Sequence, residues 1–171
     1  VRIKELEEID YLGPQMEDYM RAYSKRELEP LADITNLDDW DQIGDAIWDI
    51  NEGVIHGYSG EKGGFLIHKQ AYRNYYLKLK FKIKHEDNSG IFIRHTPADT
   101  DVVTTDNAIE CNIYDHDGFM HEYSTGAIAP IARAWSKMID YEGWNDMEIF
   151  AFEDQICMYV NNLLFHLFFR V

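Results

Sequence analysis

Alternating apolar and polar residues run through most of the chain from residue 31 onward. The clearest run spans residues 75–84, where apolar side chains at odd positions alternate with Tyr76 and four lysines. Successive side chains of a strand point to opposite faces, so this run predicts a strand with one buried face. Shorter runs of the same kind lie at 47–55, 91–96, 108–114, 146–152 and 155–160, separated by turn residues such as Asn88-Ser89-Gly90, Asp117-Gly118 and Asn161-Asn162. Many short strands without intervening helices predict an all-β antiparallel sandwich, and we favour a jelly roll.

The first thirty residues follow a different pattern. Residues 1–6 alternate apolar and charged, which predicts a short strand with one face on a core. Between Pro14 and Pro30, apolar residues recur at three- and four-residue spacing, which predicts one amphipathic helix. The predicted organisation is therefore a terminal segment over 1–30, made of strand and helix, followed by a sandwich domain over 31–171.

Composition and charge narrow the function classes. The chain has 16 Lys and Arg against 31 Asp and Glu, a net charge of −15 over 171 residues, and such an excess of carboxylates repels nucleic-acid phosphates. A hydrophobic share of 46% is enough to bury a core, so disorder is also excluded. No apolar run approaches the roughly 20 residues that a membrane-spanning helix needs. No secretory signal is visible in the chain, and the oligomeric state cannot be predicted.

The strand at 108–114 carries the most informative polar residues. Its apolar side chains take the odd positions, so Glu110, Asn112 and Tyr114 share the opposite face. A carboxylate, an amide and a phenol in a row suit the recognition of sugar hydroxyls. An ordinary solvent-facing strand has the same alternation and stays open as an alternative.

Asp115 lies five residues after Glu110, an odd offset that puts the two side chains on opposite faces of a regular strand. Ordinary glycosidases need two carboxyl groups about 5 to 9.5 Å apart. This strand does not supply that pair, so a reaction that needs one good base fits the sequence better.

Other polar residues give weaker signals. Arg94 is predicted to share a strand face with Phe92, where it would hold a carboxylate or sugar oxygens, or pair with a surface acid. The residues at 115–122 are rich in His, Asp and Glu, but their spacing matches neither a calcium loop nor a zinc motif, so no metal site is predicted. Trp48 and Trp144 are predicted to pack in the core, although exposed tryptophans also stack on sugars.

A series of short motifs is distributed along the chain. They are Leu37-Asp38-Asp39-Trp40, Trp48 to Gly57, Asn88 to Arg94, Ile109 to Asp115, Thr125 to Ile128, Gly143-Trp144-Asn145 and Asn161-Asn162. In their order and spacing they resemble the landmarks of the 3-keto-disaccharide hydrolase domain family, over about residues 31 to 165. The resemblance implies a concanavalin A-like jelly roll, a carbohydrate substrate and export to the periplasm or the outside of the cell.

The same resemblance implies cleavage of glycosides oxidised at C3, by base-assisted elimination and hydration. Together with strand parity it assigns Glu110 as base or acid and Arg94 as the clamp for an oxyanion or hydroxyl. His121 is the candidate second proton carrier, and Asn112, Tyr114 and Asp115 are the expected substrate contacts. No cofactor is implied, although a divalent metal could replace Arg94 in holding an enolate. The rival interpretation is a glycan-binding module without activity.

This sequence departs from the family in two ways. The family usually has Gln where Asn112 stands and Gly where Asn162 stands. Its closing strand reads like residues 1–6 of this chain, while residues 168–171 resemble the front half of the same strand. We therefore expect a closing strand divided between the two ends, which a tandem copy, a circular permutation or segments joined out of order would explain.

Overall fold

The computed structural model describes residues 1–5, 28–32, 34–96, 102–137 and 139–168, and these residues form antiparallel β-structure without a helix. In chain order the strands are β1 (Arg2–Glu5), β2 (Glu29–Pro30), β3 (Trp40–Gly44), β4 (Ile47–Asn51), β5 (Val54–Tyr58), β6 (Gly64–His68), β7 (Tyr75–Phe81), β8 (Asn88–Ile93), β9 (Ile109–Tyr114), β10 (Ile128–Ala129), β11 (Asn145–Phe152), β12 (Gln155–Val160) and β13 (Leu163–Phe168). The all-β prediction is confirmed.

Two sheets build the body of the described fold. The larger has six strands in the order β13-β12-β11-β7-β1-β2, and the smaller has three in the order β10-β9-β8. The remaining strands form two pairs, β3 with β6 and β4 with β5. Neighbouring strands are antiparallel throughout, as in the pairing of Leu77 on β7 with Ile149 on β11.

The main hydrophobic core lies between these two sheets. The smaller sheet contributes Ile109, Cys111 and Ile113, and the larger contributes residues such as Leu77 and Ile149. Cys111 and Ile149 are fully buried. Because both sheets share one core, the face of β9 that carries even-numbered residues points away from it.

The opposite face of the larger sheet carries a second, smaller apolar cluster. Tyr76, Phe150 and Cys157 belong to it, together with Leu28 and Phe152. Tyr76 also donates its hydroxyl to Glu148, whose carboxylate accepts from Lys78 at 3.0 Å. The lysine-rich pattern indicated that the even positions of β7 face solvent, but not all of them do.

Three turns show where the observed strands agree with the predicted ones and where they differ. Residues 47–55 were expected to form one strand but form the hairpin β4–β5, because Glu52 and Gly53 adopt φ of 50° and 74° and close a two-residue turn. The turn expected at 88–90 lies earlier, at 84–87, where the Asp87 carboxylate accepts the Lys84 N–H at 2.9 Å. The Asn161-Asn162 turn is confirmed, with φ of 48° and 65°.

The two ends of the chain are described only in part. The predicted terminal strand forms as β1, which lies between β7 and β2. β13 occupies the far edge of the same sheet, and residues 169–171 lie outside the described residues, so the divided closing strand stays a prediction. Residues 6–27, and with them nearly all of the predicted helix, also lie outside them. Among the described residues no helix has the length and apolar character to cross a bilayer.

Candidate functional site

β9 separates core and polar residues as its alternation predicts. Cys111 and Ile113 face the core at 0% and 3% exposure, while Glu110 and Tyr114 remain partly exposed on the other face. Asn112 lies between them on that face and is buried. The strand therefore presents a carboxylate and a phenol that ligands can reach, with a buried amide between them.

Glu110 is half-buried, and no partner for its carboxylate is found in the part of the chain that the structure describes. Phe92 lies directly opposite it on β8 and Ala129 on β10, and neither side chain can donate a hydrogen bond. The described residues give its carboxylate no hydrogen bond and no ion pair, and burial raises its pKa above the ordinary value. Phe65 packs edge-on against Phe92 with ring centres 5.2 Å apart, so the part of the Glu110 side chain nearest the backbone lies beside an aromatic pair.

Asn112 holds the loop that follows β9. Its side-chain amide donates to the Tyr123 carbonyl, and its main-chain N–H donates to the Ala127 carbonyl at 2.9 Å. Gly126 returns a main-chain hydrogen bond to the Asn112 carbonyl at 3.1 Å. These contacts fix residues 123–127 against β9, and they commit one of the two N–H groups of the predicted sugar-binding amide.

His121 belongs to a group of stacked rings at the end of β9. Its ring stacks on His116 with centres 4.0 Å apart, and the Tyr114 ring lies 5.0 Å from His116. The His121 Nδ1 accepts the Tyr123 N–H at 3.0 Å, which assigns the proton of a neutral ring to Nε2. His116 contacts the Ser124 hydroxyl at 2.7 Å. The structure thus brings the candidate proton carrier His121 next to Tyr114.

Glu110, Asn112 and Tyr114 form a polar row on β9, and the two ends of this row are not in contact. Glu110 and Tyr114 are four residues apart, or about 14 Å along a strand at about 3.4 Å per residue. A second protein group that acts on the same sugar ring as Glu110 must therefore reach across part of this distance. A bound disaccharide can extend over it.

Asp115 lies on the buried side of the chain and not beside Glu110. Its side chain has no exposed surface; one oxygen accepts the Tyr141 hydroxyl at 2.5 Å and lies 3.5 Å from the Lys137 ammonium. The other oxygen lies 3.8 Å from His85. β9 ends at Tyr114, so strand parity does not extend to Asp115. The predicted substrate contact does not fit a carboxylate that is enclosed and already bound by protein groups.

Arg94 departs from the predicted strand face. β8 ends at Ile93, and Arg94 adopts a φ of 57°, so the alternation stops one residue before it. Its guanidinium donates to the main-chain carbonyls of Arg73 and, at 2.8 Å, Glu153, and it lies 6.0 Å from the Tyr75 ring centre. Arg73 and Glu153 lie at strand ends of the larger sheet, so the half-buried guanidinium reaches toward that sheet and not over the Glu110 face.

The described residues include no group of three or more His, Cys, Asp or Glu that could hold a metal ion. A recess of about 10 Å³ lies between Tyr114, Asp115 and Lys137. This volume is at the lower limit for one water molecule, so the recess cannot hold a sugar. The open face around Glu110 is the better candidate for a ligand site.

The tryptophans divide between packing and exposure. Trp48 is half-buried and packs over Gly57 of the β4–β5 hairpin, where an added Cβ would lie 2.6 Å from the indole. Trp144 is 49% exposed, so its predicted place in the core is wrong. Trp135 is also exposed, and its indole N–H donates to the Leu164 carbonyl on β13 at 2.9 Å. None of these contacts places a tryptophan beside Glu110.

Sequence reasoning missed Phe65 and Tyr123, which adjoin the polar face of β9. Phe65 lies on β6, a strand that the alternation did not reveal, and Tyr123 acts through its main-chain carbonyl. No side-chain pattern identifies a carbonyl contact.

Comparison with known proteins identifies a family and shows a likeness to solved structures. A family model described as "3-keto-alpha-glucoside-1,2-lyase-like domain" matches residues 27–170. The fold is similar to the crystal structure of a "putative glycosyl hydrolase" from Parabacteroides distasonis ATCC 8503, with a TM-score of 0.64 and 18% identity. The match covers 74% of this chain and 64% of that structure, which is less than two thirds of its length. No curated protein matches the chain.

Proposed function

Since this chain belongs to the family of 3-keto-alpha-glucoside-1,2-lyase-like domains, we propose that it cleaves 3-keto-glycosides between C1 and the glycosidic oxygen. The substrate class is a carbohydrate whose C3 hydroxyl has been oxidised to a ketone. We propose a concanavalin A-like jelly roll for the complete fold and an exported location, as the resemblance implies.

The ketone determines the chemistry. It acidifies the hydrogen at C2, so a base can remove that proton and form an enolate with its charge on the C3 oxygen. Re-formation of the ketone moves the electron pair into a C1–C2 double bond and expels the C1 oxygen, which takes up a proton. Water then adds across this double bond, with its oxygen at C1 and a proton at C2. This sequence needs one base, one acid and stabilisation of the enolate.

Glu110 is the proposed base, and its environment is the observation that carries the proposal. The carboxylate is half-buried, lacks a described partner and has a raised pKa, which are properties of a group that takes a proton from carbon. Other half-buried carboxylates of the described residues are held by cations, such as Glu148 by Lys78 and Asp146 by Lys80. An ionised carboxylate held by a cation in this way is a weaker base.

His121 and Tyr114 are the proposed groups for the leaving oxygen and the second sugar. Because the His121 Nδ1 accepts from Tyr123, the ring presents Nε2–H as a hydrogen-bond donor to the leaving oxygen, which takes its proton from the protonated Glu110 or from water. The partly exposed Tyr114 hydroxyl is the proposed donor to sugar oxygens, whereas the predicted sugar contact is not assigned to Asn112, which is 1% exposed and holds the loop after β9. Arg94 has two carbonyl partners and is not assigned to the enolate.

The test offers purified protein a 3-keto-glucoside and follows the release of 3-keto-glucose. Glu110→Gln keeps the shape of the side chain and should lower kcat about 100- to 10,000-fold. Asp146→Asn is the matched control, because Asp146 pairs with Lys80 at 3.7 Å on the other face of the larger sheet, and it should leave turnover unchanged. Equal turnover by wild type and Glu110→Gln would remove Glu110 from the mechanism.

A second measurement distinguishes elimination from direct hydrolysis. In D₂O, elimination and hydration place solvent deuterium at C2 of the released 3-keto-glucose, whereas direct displacement at C1 does not. 3-Keto-glucose incubated with the Glu110→Gln variant measures background exchange. Product without deuterium at C2 would contradict the proposed route.

A glycan-binding module is the second candidate function. The observation that favours it is the engagement of Arg94 and Asp115 by protein groups, which leaves fewer side chains for chemistry. Saturable binding of a glycan by folded wild-type protein, without turnover of any 3-keto-glycoside, would support this candidate against the enzyme.

A further inference from the structure

Gly90 lies under the Glu110 side chain. A Cβ built on Gly90 would lie 2.7 Å from the Glu110 Oε1 and 3.0 Å from its Cγ. A carbon atom does not approach an oxygen that closely without displacing it, so the observed position of the carboxylate requires the absence of a side chain at residue 90. The contact is between neighbouring strands, since Gly90 pairs with Asn112 and Phe92 with Glu110.

The direction of this contact is informative. Phe92 is the residue directly opposite Glu110, yet the carboxylate occupies the space that a Cβ on Gly90 would take, and Gly90 lies opposite Asn112. The Glu110 side chain therefore leans along β9 toward Asn112 and Tyr114. This orientation brings the Glu110 carboxylate closer to the stacked rings that include His121. It also shortens the distance between the Glu110 and Tyr114 side chains at the two ends of the polar row.

The backbone of Gly90 does not itself require glycine. Unlike Gly53 or Gly126, it has no positive φ, and it forms a regular pair inside β8. Glycine weakens a strand interior and usually marks a close approach of another group. The close group here is the flexible end of one side chain, which an added methyl group would push aside without disturbing the sheet.

We propose that Gly90 is a positioning residue. Its lack of a side chain allows the Glu110 carboxylate to lie flat over β8 and leaves the surface between Glu110 and Tyr114 free for a sugar. The role of Glu110 in this statement rests on the proposed function. The contact between residues 90 and 110 does not, and it can be tested without a substrate.

The substrate-free test is a double-variant cycle measured by urea unfolding and by NMR. Gly90→Ala should displace the Glu110 carboxylate into water, which lowers its pKa in a carboxyl ¹³C titration. Any effect of Gly90→Ala on stability should change when Glu110 is alanine, because the displaced group is then absent. Ser89→Ala is the control, since Ser89 is an exposed neighbour on β8, and it should leave the Glu110 titration unchanged. An unchanged Glu110 titration and equal stability effects in both backgrounds would overturn the proposal.

Turnover gives the functional arm of the test. Displacing a base by about 1 Å costs on the order of 100-fold, so Gly90→Ala should lower kcat by about that factor, and its acid limb should move to lower pH. A folded Gly90→Ala variant with wild-type kcat and pH profile would overturn the positioning role. If wild type turns over no 3-keto-glycoside, the proposed function fails, while the titration and the cycle still decide the contact.

Discussion

Replacing Arg94 by alanine tests whether this arginine stabilises the fold or acts on the substrate. The change removes two charged hydrogen bonds to the carbonyls of Arg73 and Glu153 and a contact with Tyr75 at 6.0 Å. At about 1.5 kcal/mol for each hydrogen bond and about 0.5 kcal/mol for the ring contact, the gross loss is about 3.5 kcal/mol. Arg73 and Glu153 are exposed, so water replaces part of this loss and about 2 kcal/mol remains.

This loss predicts a fall in the thermal midpoint of about 4 to 8 °C for a domain of this size. Turnover per folded molecule at 25 °C should stay at the wild-type value. Arg94→Gly should be more stable than Arg94→Ala by about 1 kcal/mol, because the φ of 57° disfavours a residue with a Cβ. Arg73→Ala is the control for the exposed ion pair with Glu153 and should cost less than about 1 kcal/mol.

The opposite result would restore the role that the sequence predicted. If Arg94→Ala kept the wild-type thermal midpoint and lost turnover by two orders of magnitude or more, Arg94 would contact the substrate. The structural reasoning from its carbonyl contacts would then be refuted.

Three further predictions concern buried or half-buried groups. Glu110→Gln should gain less than about 1 kcal/mol of stability in urea unfolding. Since folding raises the pKa of Glu110, this gain should appear as pH rises through that pKa and vanish below the ordinary Glu range. A stability difference that does not change with pH would contradict the prediction. Asp115→Asn should cost about 2 kcal/mol, because it weakens the contacts with Tyr141 and Lys137, and a variant as stable as wild type would show that these contacts contribute nothing net. Burial raises the pKa of Cys111 to about 12, so its thiol should resist alkylation at pH 8 in the native state and react in urea; rapid native labelling would contradict the buried core.

The strand alternation predicted β9 and its two faces because one side of the strand is buried against the larger sheet. A shift by one residue would expose Cys111 and Ile113, so the pattern is unambiguous. The same reasoning separated Glu110 from Asp115. It could not predict that Asp115 is enclosed, because Tyr141 and Lys137 come from a segment more than twenty residues later.

The alternation failed where the backbone leaves the strand conformation. Arg94 would share the face of Glu110 if β8 continued, but a positive φ ends the strand, and arginine gives no local signal for that conformation. Glu52 is a similar case, since the glycine after it was the only sign that residues 47–55 turn back as a hairpin. Single residues with positive φ thus limit how far a parity argument extends along the chain.

The excess of acidic residues makes the isolation of Glu110 informative. Other half-buried carboxylates of the described residues have donors on neighbouring strands, as Glu148 has Lys78 and Tyr76 on β7. Glu110 has Phe92, Ala129 and Gly90 around it, so its three neighbouring positions offer no donor side chain. A half-buried charge in such surroundings lowers stability, and an uncharged strand residue at this position would avoid that cost. Retaining the carboxylate at the expense of stability is characteristic of a functional group, and the Glu110→Gln and Gly90→Ala variants measure the two sides of this trade-off separately.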